Sequence, residues 1–272
     1  MKSFLLATLG LMIVAPGCGR REAVAPVQRT KLQIYAPCGL VLPFKEIAKI
    51  FEQRNPGVDL DTRFDKPARI AKDIVERGHR PDIFISPGPV EMSIVEAAGL
   101  IDLSTKKPFA TYRLGLIVAG DNPAGLRTVE DLAQPQVKAV VLADPQYNSV
   151  GAYAKEILQN RGVWEKVEQK TIFSEDATAG LRFILDGTAQ ASITSMTCPF
   201  VTAPEAVPKG PLKFVESIPP EQYGQIECLI ACLTSTRDRD MACKFVDFVT
   251  SQEIQGKLEE LGMSVLKGPE RE

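Results

Sequence analysis

The feature that most limits how this chain folds is a hydrophobic period that switches back and forth between two and about 3.6 residues. Leu32–Ala36 reads as a strand, and Phe44–Arg54 as a helix with Phe44, Ile47, Ala48 and Phe51 on one face. Val58–Phe64 is a second strand, opened by the turn Asn55-Pro56-Gly57. Ala68–Arg77 is then a helix, Asp82–Ser86 a strand, and Pro89–Ala98 a helix stopped by Gly99. This order, βαβαβα, specifies a mainly parallel sheet covered by helices on both faces. The same grammar returns with strands at Leu114–Ala119 and Lys138–Ala143, a helix at Val150–Asn160, a strand at Thr171–Phe173, a helix at Ala177–Leu185 and a strand at Ala191–Thr194. A Pro-rich passage from Pro199 to Pro220 leads to the strand Ile226–Leu233 and the helices Met241–Thr250 and Glu253–Leu261. Two α/β lobes follow, and the cleft between such lobes is the default seat for a small ligand.

The amino terminus points to export. Lys2 precedes an apolar run from Phe4 to Val14, shorter than the ~20 residues of a membrane-spanning helix and suited to a signal peptide. Residues 1–17 are read as that signal, and 18–30 as a tether. Ala15-Pro16-Gly17-Cys18 resembles a bacterial lipoprotein box, in which Cys18 is acylated and anchors the chain to the outer side of the cytoplasmic membrane. Without acylation the same signal gives a periplasmic protein.

Composition removes several chemistries. Lys and Arg number 32 against 34 Asp and Glu, so no broad basic field exists to attract nucleic acid. His79 is the sole histidine, which rules out multi-histidine metal sites and makes any Ser-His-Asp engine depend on that one residue. His79 itself reads as a surface residue in a turn, and Trp164 as a packing residue between helices. No nucleotide-binding, metalloprotease or nucleophile-elbow motif is present, and no pair of carboxylates has a spacing that assigns acid and base roles. No catalytic residue is assigned. Besides Cys18 the chain holds Cys38, Cys198, Cys228, Cys232 and Cys243, an odd number, so at least one thiol stays free or holds something. Cys228 and Cys232, four residues apart on one strand, are about 13 Å apart and too far to bridge. Cys232 and Cys243 read as small core residues.

Three segments carry a family resemblance. They are Tyr35-Ala36-Pro37-Cys38-Gly39-Leu40, then Pro81-Asp82-Ile83-Phe84-Ile85-Ser86, then Ala143-Asp144-Pro145 running into Val150-Gly151-Ala152-Tyr153-Ala154-Lys155-Glu156. Glu175-Asp176 before a helix and Phe245-Val246-Asp247-Phe248 with Ser251-Gln252 fit the same template. From Lys31 to about Val265 the chain resembles the periplasmic molybdate-binding proteins of ABC importers.

The resemblance implies the two-lobe periplasmic-binding-protein fold. Lobe 1 is built from residues 31–112 and 228–272, lobe 2 from 113–227, with hinge segments near Tyr112 and Cys228. It implies a monomeric, non-enzymatic receptor that encloses molybdate or tungstate without a cofactor and delivers it to separate permease and ATPase chains. Its ligand donors fall on Cys38, on Pro67 in the turn Lys66–Ala68, on the backbone at Val150 and Ala177, and on Ser195. Such a site works through helix N-termini, each carrying roughly half a positive charge and free N–H groups.

Several positions depart from the template. A hydroxyl is replaced by the weaker thiol donor at Cys38 and lost at Pro67, which has no N–H either, and Ser195 is shorter than the family's Tyr. Lys66 and Arg69 flank Pro67 as either a solvated helix start or a counter-charge for the anion. Three alternatives stay open: a thiophilic metal held by Cys38, Cys198 and Cys228; a small organic anion at Lys66 and Arg69; and a Cys198–Cys228 disulfide across the hinge. A further reading, an enzyme with Cys38 activated as a nucleophile at a helix start, has no partner base.

Overall fold

The computed structural model describes residues 29–196, 212–224, 226–261 and 263. The signal segment, Cys18, nearly all of the 18–30 tether and Cys198 lie outside the described residues.

Two five-stranded sheets organise the chain. The first has the order β2-β1-β3-β10-β4, from β1 (Thr30–Pro37), β2 (Val58–Asp65), β3 (Ile83–Ser86), β4 (Lys107–Ala110) and β10 (Cys228–Cys232). The second has the order β7-β6-β8-β5-β9, from β5 (Leu114–Ala119), β6 (Val140–Ala143), β7 (Thr171–Ser174), β8 (Ala191–Ser195) and β9 (Leu212–Ile218). β1 pairs in parallel with β2 from Thr30↔Val58 to Pro37↔Asp65, and in parallel with β3. β6 pairs in parallel with β7 and β8. In each sheet the strand at fourth place, β10 or β5, runs against both neighbours. Each sheet is therefore mixed, with four strands one way and one reversed.

The helices are α1 (Val41–Arg54), α2 (Pro67–Val75), α3 (Pro89–Ala97), α4 (Ser149–Asn160), α5 (Trp164–Glu168), α6 (Ala177–Leu185), α7 (Arg239–Val249) and α8 (Gln252–Glu260). Helix α1 buries Phe44, Ile47 and Phe51, the face expected from its period, and the Phe51 ring meets Phe245 of α7 edge-on at 4.9 Å. Pro67 and Pro89 open α2 and α3, where a missing N–H costs nothing. Asn148 and Asp176 cap α4 and α6 by accepting from the amides of Gly151 and Ala179.

Three elements were not expected. β4 contains Pro108 and sits at a sheet edge, where a proline removes no ladder bond. β9 is the opposite sheet's edge, inside the Pro-rich passage where no strand was read. Helix α5 has five residues, too few for its period to show. Trp164 opens it, buried, with Lys155 Nζ 5.1 Å from its ring centre.

Among the described residues the chain passes between the sheets after β4, through residues 111–113, and again between Ile218 and Cys228. Tyr223 pins the two passages together: its buried hydroxyl accepts from the amide of Leu114 at 3.2 Å and donates to the carbonyl of Ile218 at 3.4 Å. Cys228, read as a possible disulfide partner of Cys198, is a free thiol, and so are Cys232 and Cys243. Cys232 is buried as expected, whereas Cys243 is half-buried. His79 is not a bare surface residue. Its Nδ1 lies 3.0 Å from the Tyr35 hydroxyl and 3.3 Å from Arg63 Nη1, because the turn after α2 folds back onto β1 and β2.

Candidate functional site

Parallel strands send the helices that follow them back from the same edge, so the free N–H groups of those helices collect at the strands' carboxyl ends. Cys38 follows β1, Pro67 and Ala68 follow β2, Val150 follows β6, Ala177 follows β7, and Ser195 ends β8. The two edges face each other, as the contacts across the gap demonstrate. Lys66, before α2, reaches lobe 2 and places its Nζ 2.7 Å from Asp176 Oδ2 and 3.8 Å from Glu175 Oε2. The Asp176 contact is an ion pair without hydrogen-bond alignment. Lys66 thus has a resident partner and is not a bare cation at a solvated helix start.

The second crossing joins α3 to α4 head to head. Ser149, the first residue of α4, accepts at its Oγ from the amide of Val90 at 3.1 Å. In return its own amide donates to Glu91 Oε1 at 3.1 Å and its hydroxyl donates to Glu91 Oε2. Each helix end is capped by a side chain of the other, a capping box split between two lobes. Two positive helix ends repel when brought nose to nose, and the Glu91 carboxyl between them supplies the opposite sign. Gly88 makes room for this approach. A Cβ there would sit 2.5 Å from the Ser149 Cβ and Oγ.

Burial shapes the titration of this centre. Glu91 is wholly enclosed, which pushes its carboxyl up to about 7 against the opposing hydrogen bonds from Ser149. Tyr112 and Cys228 are raised by burial and then by neighbouring charges, Cys228 chief among them for Tyr112 and Glu91 for Cys228. Tyr153 is pushed up to about 12, by burial first and then by Glu156, Glu227, Cys228 and Glu91.

Two donors at this centre lack partners. The Tyr112 hydroxyl is buried and makes no hydrogen bond among the described residues. In the first turn of α4, the amide of Ser149 is taken by Glu91 and that of Gly151 by Asn148. Between them, the buried amide of Val150 has no partner among the described residues. A guest that accepts hydrogen bonds satisfies both.

Of the residues expected at the site, Val150 is buried at the α4 start and Ala68 stands half-buried at the α2 start. Pro67 is the first residue of α2 and offers no N–H, and Ala177 is the first residue of α6. Ser195 is half-buried beside Leu114, where the chain enters lobe 2. Cys38, also half-buried, opens a three-residue 3-10 turn, and α1 begins only at Val41. The α-helix start needed to activate Cys38 as a nucleophile is therefore not at Cys38. The soft-metal alternative also needs Cys198, which lies outside the described residues. Among the described residues no group of three His, Cys, Asp or Glu side chains gathers around one point, and the raised Cys228 stays a thiol, with its Sγ 3.9 Å from the Pro87 carbonyl. Glu91, Ser149 and Tyr112 were missed as site residues.

Beyond the Lys66–Asp176 bridge lies a cavity of about 450 Å³ between α2 and the β6–β7 edge. Arg69, Tyr147 and Phe173 are among its walls.

A family model described as bacterial extracellular solute-binding protein matches residues 32–264. The chain belongs to that family. It is a family of solute receptors, not of enzymes. YvgL of Bacillus subtilis, a provisionally named ABC transporter substrate-binding lipoprotein, is 20% identical over 263 residues, covering 96% of this chain and 97% of its own. The molybdate-binding protein ModA of Mycobacterium bovis is 25% identical over 208 residues, covering 72% and 76%. Among solved structures, the sulfate-binding protein SubI of Mycobacterium tuberculosis superposes with a TM-score of 0.70 at 16% identity, covering 88% of each chain, a likeness of fold. Among the described residues no helix is long and apolar enough to cross a membrane.

Proposed function

We propose that this protein is the exported receptor of an ABC importer, closing two lobes over a small tetrahedral oxyanion of the molybdate, tungstate or sulfate type. A permease and an ATPase made by separate chains take the anion from it. The observation that carries this reading is the pair of unpartnered buried donors, Val150 N–H and Tyr112 O–H, where four helix starts converge between facing sheet edges. Hydrogen bonds to a charged guest contribute about 1.5–3 kcal/mol each, so a few converging donors suffice for tight capture. The two relatives, one a molybdate binder by name, point the same way. Cys18 is the proposed site of a lipid anchor, and the receptor acts as a monomer.

Titration calorimetry with molybdate, tungstate and sulfate tests the reading. Micromolar or tighter binding of one of them is expected, and no binding by any of them at that level sinks it. The cavity beside Arg69 favours one second reading. At about 450 Å³ and flanked by the exposed rings of Tyr147 and Phe173, it is of a size for a small organic ligand, with Arg69, Lys72 and Arg77 on its wall beside Asp73, Glu76, Asp144 and Glu175. Under that reading Arg69→Ala abolishes uptake of a small phosphate ester while leaving the inorganic oxyanions unaffected.

A further inference from the structure

The carboxyl of Glu91 occupies the anion seat of α4. It is wholly buried, accepts from both the amide and the hydroxyl of Ser149, and has no cationic partner among the described residues. The neighbouring donors, Val150 N–H and Tyr112 O–H, are the ones left for a guest. An oxyanion bound there lies beside a carboxylate of the same sign in a place without water to separate them, which is strongly unfavourable.

We propose that Glu91 is a tethered competitor for the anion seat, so that this receptor takes up one proton on Glu91 with each oxyanion it binds. The inference rests on the oxyanion reading above and adds a specificity element to it. The proton comes from solvent and joins a Glu91 Oε. The neutral carboxyl then donates its own O–H, and the Ser149 amide is released to the guest. The titratable groups that face Glu91 from the packed elements are Tyr112 on the passage between lobes, Cys228 on β10 and Tyr153 on α4, and all three stay neutral through pH 8. They neither supply the proton nor mask the charge. The raised carboxyl of Glu91 itself is consistent with a group poised to accept one.

Molybdate and sulfate, which do not themselves titrate between pH 5.5 and 8, are the probes. Calorimetry in buffers of different ionisation enthalpy counts the protons taken up per anion. Wild-type protein is expected to take up close to one at pH 8 and fewer at pH 5.5, with affinity falling about tenfold per pH unit above neutrality. Glu91→Gln is expected to take up none and to bind about tenfold more tightly than wild type at pH 8. Ser149→Ala, which keeps the backbone amide and Glu91, keeps the proton uptake. A zero proton count in wild type at pH 8, or a Glu91→Gln affinity equal to wild type at pH 8, overturns the inference and leaves the oxyanion reading standing. If neither protein binds either anion at any pH, the oxyanion reading falls and the inference with it. Should Glu91→Gln not fold, the wild-type proton count decides alone.

Discussion

The two lobes share a plan and differ at the edge they show each other. Each sheet has four strands one way and a reversed strand in fourth place. Lobe 2 meets the cleft with capped helix starts: Asn148 and Asp176 hold the first turns of α4 and α6 in place. In lobe 1 no N-cap residue of α1, α2 or α3 supplies a side-chain bond, α3 being capped from across the gap by Ser149, and two of those helices open with proline. What lobe 1 contributes is charge, with Lys66 and Glu91 reaching across to partners in lobe 2. The difference teaches that the cleft is not built of two equal halves. Lobe 2 brings capped helix starts to the contact, and lobe 1 brings the side chains of Lys66 and Glu91 that reach across it.

The glycines of the corresponding turns give the largest expected contrast. A Cβ on Gly151 would lie 2.2 Å from the Ala143 carbonyl oxygen, so Gly151→Ala forces α4 away from β6. A loss of about 2–4 kcal/mol is expected, read as a lower midpoint in denaturant. Gly39, in the lobe 1 turn, has nothing within 4 Å of such a Cβ. Gly39→Ala is expected to stay within about 0.5 kcal/mol of wild type. Equal effects at the two sites would show that the lobe 2 turn is not the more closely packed.

Charge in lobe 1 is tested by pH. The Glu91 carboxyl stands near 7 in the folded chain against an ordinary 4.5, so the folded state binds the extra proton between those values. Stability therefore falls by roughly 3 kcal/mol for this group as pH rises from about 4.5 to 7, and is flat above. Glu91→Gln is expected to flatten that part of a stability profile taken by chemical denaturation. A wild-type profile that rises steadily over the same interval would show that lobe 1 does not bury an ionisable group at the contact. Smaller again is the loss of a cap: Asn148→Ala is expected to cost about 1 kcal/mol and to loosen the first turn of α4, seen as faster amide exchange there.

How much of this was legible follows from how local each signal is. The strand-turn-helix units appear in the sequence because period and turn residues lie within a dozen positions of one another. That is why β1, α1, β2, α2, β3 and α3 fall within a few residues of where the pattern puts them. Edge strands are weaker signals. Lys107-Pro108-Phe109-Ala110 is too short and too proline-marked to read as β4, and β9 is masked by the prolines around it. The helix starts read at Ala68, Val150 and Ala177 fall within one residue of those of α2, α4 and α6, for the same local reason. The Glu91–Ser149 lock was not, since its partners lie 58 residues apart on different lobes and no periodicity links them. Tyr112 was recognisable as part of the passage between lobes, but an unpartnered hydroxyl is a property of its surroundings, which only the packed molecule supplies.

The remaining bridge, Lys66 to Asp176, sharpens the comparison from the other side. Lys66 is about a third exposed and Asp176 nearly buried, and Asp176 keeps its bond to the Ala179 amide when the lysine is removed. That residual bond and the exposure of Lys66 keep the pair's contribution near the surface range, about 1 kcal/mol, well short of a fully buried pair. A double-mutant cycle with Lys66→Met and Asp176→Asn isolates it, because the Asp176 cap then cancels between the two arms. A coupling of about 1 kcal/mol that shrinks in high salt is expected. A coupling near zero at low salt would mean that the lobes meet through α3 and α4 alone, with Glu91 as the single charge that lobe 1 brings to the contact.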